Sequence, residues 1–520
     1  RCRKSPRCCS AIATTPGRAV TIAVSIVRGA GEAALLDEDA GSWWVVNMPL
    51  YTRVLTDQAA YGVVAEFMAY IAVLQVVLVL GLETGCFRFA SLAGQKNDPV
   101  GAGRVFSTSL TTVTFVAGLF FAAVILFRDP IAGALGYGND SRALFYVAGI
   151  LLLDSITAIL FARLRYEHKA WRFAVFKTVK ICCELGFNLL FFLWAPRFLA
   201  SAPESFLGRF IPAVPDFNYV LFSIFLSCIV ALLLFLPDLV KRSSFAFDRK
   251  LWTRLMLYSL PLMIAGLPGI LNDFSDRILF RFLIPEDVSW RAQMGIYQAG
   301  IKLAVLINLF IQMFRYAAEP FFFGQSADKK APGTYARVLD YFTGFSMLVY
   351  LGILLYIDLF SLILGENYRE GIVVVPIMAL AYVLLGIYFN ISIWFKLSGK
   401  TGYAVLITSA GLAVTLLVNV LFMPRFGYMA AAWGHLASYL TMTVVCALMG
   451  RKHYPVPYNW RRNGFYIFCG IGLYFFSLLF KELSIVPKLA VNTAIILGYA
   501  AIWAGVEGFF GKLRRLRQQR

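Results

Sequence analysis

Apolar segments long enough to cross a membrane recur along this chain, separated by short polar connections. They lie at roughly 59–82, 105–127, 142–162, 171–195, 217–237, 254–272, 293–316, 339–364, 371–395, 402–423, 427–449, 463–480 and 488–510. A helix rising 1.5 Å per residue needs about 20 such residues to cross a hydrocarbon core. Thirteen segments meet the pattern, and a weaker first helix ending near Leu50 makes a fourteenth. The longest connections are 196–216 and 238–253, so no sizeable soluble domain fits between the spans.

Residues 1–46 break the pattern. RCRKSPRCCSAIATTPGRAV is basic and contains two prolines, AVTIAVSIV is too short to span, and Glu32, Asp37, Glu38 and Asp39 then interrupt. A basic region before a short apolar core is also the form of a signal peptide. The cleavage context is poor, however, and removal would leave an odd number of spans. The stretch reads as an atypical, altered leader joined to the regular protein near Asn47, with a degraded first helix.

Composition agrees with the pattern. The chain is 59% hydrophobic and 15% charged, where a soluble protein is about 25% charged. The net charge of +19 does not point to nucleic acid, because the basic residues sit in short loops and no binding signature accompanies them. Loop charge sets orientation instead. Arg163, Arg165, Lys169, Arg172, Lys241, Arg242, Arg249, Lys250, Arg451, Lys452, Arg461 and Arg462 belong to the richer set of loops, and Arg53, Arg128, Arg197, Arg209, Arg369 and Arg425 to the poorer. Both termini are therefore expected on the cytoplasmic side of the membrane. The nine cysteines and three histidines show no metal-ligand spacing. The cysteines read as small buried apolar side chains, and no metal site or cofactor is expected.

Polar residues inside the spans carry the candidate chemistry, since lipid tolerates them only where they face protein or a wet cavity. The densest run is 258–323. Asn272, Asp273, Asp276, Arg277 and Arg281 are followed by Gln298, Lys302, Asn308, Gln312, Arg315 and Glu319. Helical spacing puts Asn308, Gln312, Arg315 and Glu319 on one face. Lys177, Lys180, Glu184 and Asn188 form a second stripe, with Lys180 and Glu184 spaced to pair. Lys177 is also close enough to a helix end to snorkel. Asp273 with Arg277, and Arg315 with Glu319, are spaced to pair across one turn. Pro261, Gly266, Pro268 and Gly269 should interrupt and bend the seventh span.

The chain also echoes itself. Asn47 of NMPLYTRVL corresponds to Asn272 of NDFSDRILF at an offset of 225, while Lys169 with Lys400 and Asn188 with Asn419 share an offset of 231. Such duplication predicts two similar bundles with a site between them.

PLYTRVL (49–55), GLETGCFRFA (81–90), LPLMIAGLPGILNDFSDRILF (260–280), GIYQAGIKLA (295–304) and AAEPFFF (317–323) resemble the polysaccharide-exporting branch of the multidrug/oligosaccharidyl-lipid/polysaccharide flippase superfamily. The resemblance covers about 47–510. It implies an all-α polytopic membrane protein with about 14 transmembrane helices: two six-helix bundles in a V, plus two C-terminal helices. The expected divisions are 47–237 and 254–450 for the bundles, 238–253 for a linker and 451–520 for the extra helices and basic tail. The implied activity is alternating-access flipping of polyprenyl-pyrophosphate-linked oligosaccharide for O-antigen, capsule or exopolysaccharide, alongside a polymerase or assembly machinery.

A pyrophosphate needs permanently charged, forked donors. The head-group candidates are Arg53, Lys177, Arg277, Lys302 and Arg315, with interfacial snorkelling or local pairing as the competing account. Glu66, Glu83, Asp154, Asp276 and Glu319 are gate candidates, or sites for a coupling proton or sodium ion; acids at these places also cap and pair locally. Two rivals stand beside the flippase. A drug/cation antiporter shares the fold but suits the cationic helices poorly. A membrane glycosyltransferase or polymerase needs acids or a large loop, and the connections here are short.

Overall fold

The computed structural model describes residues 42–508, apart from 56, 96–97, 138–140, 202–207, 209, 213, 243–246, 326–327 and 329. The expected leader up to residue 41, with Cys2, Cys8 and Cys9, and the basic tail from residue 509 lie outside the described residues.

Among the described residues the chain is helical with no strand. Helices α1 (Ser42–Val54), α2 (Gln58–Gln95), α3 (Pro99–Leu126), α4 (Arg142–Tyr166), α5 (Ala170–Ser201), α6 (Phe217–Val240) and α7 (Arg249–Leu283) come first. They are followed by α8 (Trp290–Gln325), α9 (Ala331–Leu355), α10 (Glu366–Leu397), α11 (Gly402–Phe426), α12 (Tyr428–His453), α13 (Trp460–Leu478) and α14 (Ile485–Val506). Twelve of these are long and apolar enough to cross a membrane. The two outside that set are α1, described over 13 residues, and α13, which opens on Trp-Arg-Arg.

Local chemistry sets the ends. Asp57, Asp98 and Asp248 cap α2, α3 and α7 by accepting from backbone N–H groups in the first turn, which satisfies donors that the helix leaves orphaned. Several helices outrun their apolar stretch. The seventh span, expected at 254–272, is helical from Arg249 to Leu283 and runs unbroken through Pro261 and Pro268. The expected interruption is therefore absent; membrane helices tolerate proline because neighbouring groups satisfy the freed carbonyls. The break falls in α2 instead, where Leu80 and Gly81 take φ of 57° and 66°. A Cβ on Gly81 would stand 2.5 Å from the Ser259 carbonyl oxygen on α7. Only glycine combines that φ with so close an approach.

Helices α2, α3, α4 and α6 pack on one another, α5 packs on α6, and α7, α8, α10, α11 and α12 form a second mutually packed set. α9 joins the second set through α10 and carries α13 and α14 on its flank. The two sets meet where α2 lies against α7 and α8 and where α1 crosses α8. Of the residues paired by internal duplication, Asn47 and Asn272 lie on α1 and α7 and Asn188 and Asn419 on α5 and α11, while Lys169 and Lys400 stand just before α5 and α11. Asn47 on α1 donates to Glu184 on α5 at 3.4 Å, and Asn272 on α7 accepts from Thr415 on α11 at 2.7 Å.

Cysteine burial is mixed. Cys86, Cys228 and Cys446 are buried as expected, whereas Cys182 is exposed and Cys183 and Cys469 are half-buried.

Candidate functional site

The polar run on α7 divides by helical geometry. A spacing of four puts Asn272 and Asp276 on the face toward α11 and α12, and Arg277 and Arg281 on a face toward α8 and α2. Each face is answered by the helices it meets.

Asp276 is fully buried and takes hydrogen bonds on Oδ2 from Tyr297 Oη of α8 at 2.6 Å and from His435 Nε2 of α12 at 3.0 Å. Its Oδ1 lies 3.6 Å from Nη1 of Arg277. Asp273 accepts from Tyr439 of α12 at 2.8 Å. Asn272 Oδ1 takes Thr415 and Ser438 together, at 2.7 and 2.8 Å. A buried carboxylate survives only with such a set of donors. The expected Asp273–Arg277 contact exists in a different form: Arg277 Nη1 donates to the Asp273 backbone carbonyl at 2.6 Å, and its Nε to Gln298 Oε1 at 3.1 Å. Lys302, one turn along α8 from Gln298, is half-buried.

Arg281 crosses to the first set of helices. Glu66 of α2 accepts from its Nε at 2.8 Å and stands 2.6 Å from its Nη2. Tyr70 Oη donates to the same carboxylate at 2.7 Å, and so does Tyr137 Oη. The Arg281 guanidinium lies over Trp290 at 4.9 Å. Both partners are deeply buried, with side-chain exposures of 1% and 13%.

The end of the bundle where α1 finishes is sutured by backbone acceptors. Arg53 donates to the Leu362 carbonyl at 2.9 Å, Tyr368 to that of Leu55 at 2.8 Å and Arg291 to that of Gly136 at 2.9 Å. Gly62 of α2 and Gly295 of α8 allow the backbones to touch. A Cβ on either would stand 1.9 or 2.1 Å from the facing carbonyl oxygen of Arg291 or Gln58.

The remaining candidates are dispersed. Lys177 is buried with its ammonium over Phe161 at 4.4 Å. Lys180 pairs with Asp154 at 2.7 Å, and Glu83 with Arg165. At the far end of α8, Arg315 lies over Phe389 at 4.8 Å and Glu319 is engaged by Lys396 of α10. Of the ten candidate residues, the structure brings Glu66, Asp276, Arg277 and Lys302 to one seam. It sets Arg53 at one end of α8, Arg315 and Glu319 at the other, and Lys177, Asp154 and Glu83 within or beside the first set of helices. The reading of spans passed over His435, Tyr297, Tyr439, Tyr70, Tyr137 and Lys396. Apart from Tyr70, which is four residues along α2 from Glu66, each lies on a different segment from its partner, and tyrosine or histidine in an apolar run gives no periodic signal.

Comparison with known proteins places this arrangement. Residues 44–324 match the family model described as polysaccharide biosynthesis protein. Among curated proteins none matches the chain in sequence. Among solved structures, the lipid II flippase MurJ in an inward closed conformation superposes with a TM-score of 0.66 at 11% identity, over 93% of this chain and 99% of that one. The inward-facing conformation of a multidrug resistance MATE family transporter of the MOP superfamily gives 0.60 at 14% identity, over 83% and 97%. The Vibrio cholerae MATE transporter VcmN, as a mutant, gives 0.56 at 13%, over 83% and 98%. At these identities the likeness is one of fold.

Proposed function

The chain belongs to the polysaccharide biosynthesis protein family, and from that premise we propose that it flips a polyprenyl-pyrophosphate-linked oligosaccharide across the bacterial inner membrane by alternating access. The carrying observation is the seam of α7 and α8, where Gln298 of α8 holds Arg277 at 3.1 Å and the half-buried Lys302 follows one turn along the same helix. Cationic side chains along one seam of a low-dielectric bundle favour a multiply charged anion beside them. A pyrophosphate supplies that anion, while the prenyl chain stays in lipid. Transport of this kind forms and breaks no covalent bond. Loop charge supports cytoplasmic termini, and the sutured α1 end then faces the periplasm, leaving loading to the cytoplasmic side.

The rival, antiport of an organic cation, needs an acid available to the substrate. Glu66 and Asp276 are engaged by Arg281, and by His435 and Tyr297, which weighs against it.

The test is reconstitution in proteoliposomes with a labelled polyprenyl-pyrophosphate oligosaccharide, following exposure of the sugar to an external lectin. Wild type flips and Lys302→Ala does not. Flipping undiminished in Lys302→Ala removes the seam from the account. No flipping, alongside uptake of an organic cation driven by a proton gradient, replaces the reading with the antiporter.

A further inference from the structure

The polar stripe at the end of α8 opposite the α1 suture borders a pocket that the seam does not use. Phe314, Arg315, Glu319 and Phe322 of α8 and Phe389 and Asn390 of α10 line about 280 Å³. That is near the small end of ligand pockets, at about 300–1,000 Å³. Asn390 is 5% exposed. Its Nδ2 donates to the Gly386 carbonyl of its own helix at 3.0 Å, which fixes the carboxamide and leaves Oδ1 as the atom offered to the pocket. That oxygen is buried with no hydrogen-bond partner. Among the described residues, no donor answers this acceptor on the pocket wall.

The same situation recurs along α8. Gln312 Oε1 and Asn308 Oδ1, one and two turns before Arg315, are also buried without a partner. A buried acceptor left unpaired is costly, and three of them in one stretch call for donors that a ligand brings. The bordering charges restrict its type. Arg315 lies over Phe389 at 4.8 Å, and Glu319 is engaged by Lys396. Two cations beside one carboxylate repel a metal ion, while the carbonyl oxygens repel an anion. A neutral molecule rich in O–H or N–H donors meets both conditions.

Phe314, Phe322 and Phe389 supply the rest of the wall. A sugar ring carries hydroxyl donors at its edge and a C–H face that packs on the negative face of an aromatic ring. Position then says which sugar. Arg315 stands about 20 Å from Lys302 along α8, at 1.5 Å per residue. We propose that the pocket between α8 and α10 is a saccharide subsite for a sugar distal to the pyrophosphate. A hydroxyl of that sugar donates to Asn390 Oδ1, and the sugars between donate to Gln312 and Asn308. The inference rests on the proposed function and adds to it that the chain reads the far end of the glycan as well as its head group.

Native mass spectrometry of the purified full-length protein tests this with two probes. One is a polyprenyl pyrophosphate carrying a single N-acetylglucosamine; the other is the same lipid carrying a tetrasaccharide of N-acetylglucosamine and galactose. Wild type holds the tetrasaccharide lipid more tightly by a factor on the order of ten, the scale of one hydrogen bond to a buried acceptor. Asn390→Leu keeps the shape and removes the acceptor. It loses that advantage, binds the monosaccharide lipid as wild type does, and melts no lower, because an unpaired acceptor is gone. Lys302→Ala weakens both lipids alike. Equal affinity of wild type for the two lipids needs no variant to fold; it means the acceptors hold water only, overturns the subsite and leaves the flippase reading standing. An advantage that survives in Asn390→Leu overturns the subsite too, as does an Asn390→Leu that melts well below wild type. Wild type that binds neither lipid removes the flippase reading and the subsite together. Free tetrasaccharide that competes with the lipid-linked form at equal concentration detaches the pocket from the lipid-linked substrate and also overturns the proposal.

Discussion

Glu66 of α2 and Arg281 of α7 join the two sets of helices through a buried ion pair, with Nη2 of the arginine 2.6 Å from Oε1 of the glutamate. The pair is closed on both sides. Tyr70 and Tyr137 donate to the carboxylate, and Trp290 lies under the guanidinium. Any conformational change that parts α2 from α7 must break it.

Removing one partner strands the other charge in the interior, which costs about 3–5 kcal/mol. Arg281→Met is therefore expected to lower thermal stability in detergent strongly. The double variant Glu66→Gln/Arg281→Met should recover much of the loss, since no net charge is left buried. A double variant no more stable than Arg281→Met would show that the pair is not coupled.

The crossing of α2 and α8 depends on two glycines. Gly62→Ala puts a methyl group 1.9 Å from the Arg291 carbonyl oxygen, so the backbones must separate and the sutured α1 end must loosen. Gly266 has open space at its Cβ position, and Gly266→Ala should add helix propensity of about 1 kcal/mol. Melting curves of the two variants should move in opposite directions. A neutral Gly62→Ala would mean the helices do not cross as described.

Two aspartates on α7 differ in how heavily they are held. Asp276 takes His435, Tyr297 and its own neighbour's amide, while Asp273 takes Tyr439. Asp276→Asn should impair flipping and stability more than Asp273→Asn, because more donors lose a charged acceptor. Equal effects in the lectin-accessibility assay would remove the distinction.

Outside the spans, Glu167 lies between α4 and α5. Partial burial pushes its carboxyl up, but hydrogen bonds from Lys169 and Arg163 outweigh burial and hold it below the ordinary value. A carboxyl lowered in the fold contributes stability above its unfolded pKa of about 4.3, and that contribution is lost as pH falls through the folded value. The group is partly solvated, so the effect is small. Glu167→Gln should melt slightly below wild type at neutral pH and converge with it in acid. A constant gap across the range would contradict the pairing.

Much of this protein was legible in the sequence because a bilayer imposes strict terms on it. Spans from 59 onward, the polar run 272–281 and the duplication joining Asn47 to Asn272 and Asn188 to Asn419 all follow from local apolar length and helical spacing. The resemblance carried by 49–55, 81–90 and 260–323 named the same family that matches 44–324. Pairing between helices lay beyond that reading. Within one helix, spacing offers Arg315 to Glu319 and Lys180 to Glu184, but the structure sets Lys396 on Glu319 and Asp154 on Lys180. Glu66 and Arg281 are 215 residues apart, and His435 reaches Asp276 across 159. A periodic pattern tells which face of a helix is polar; only the packing of helices decides which charge stands opposite, because the cost of burying an ion depends on the partner that tertiary structure brings to it.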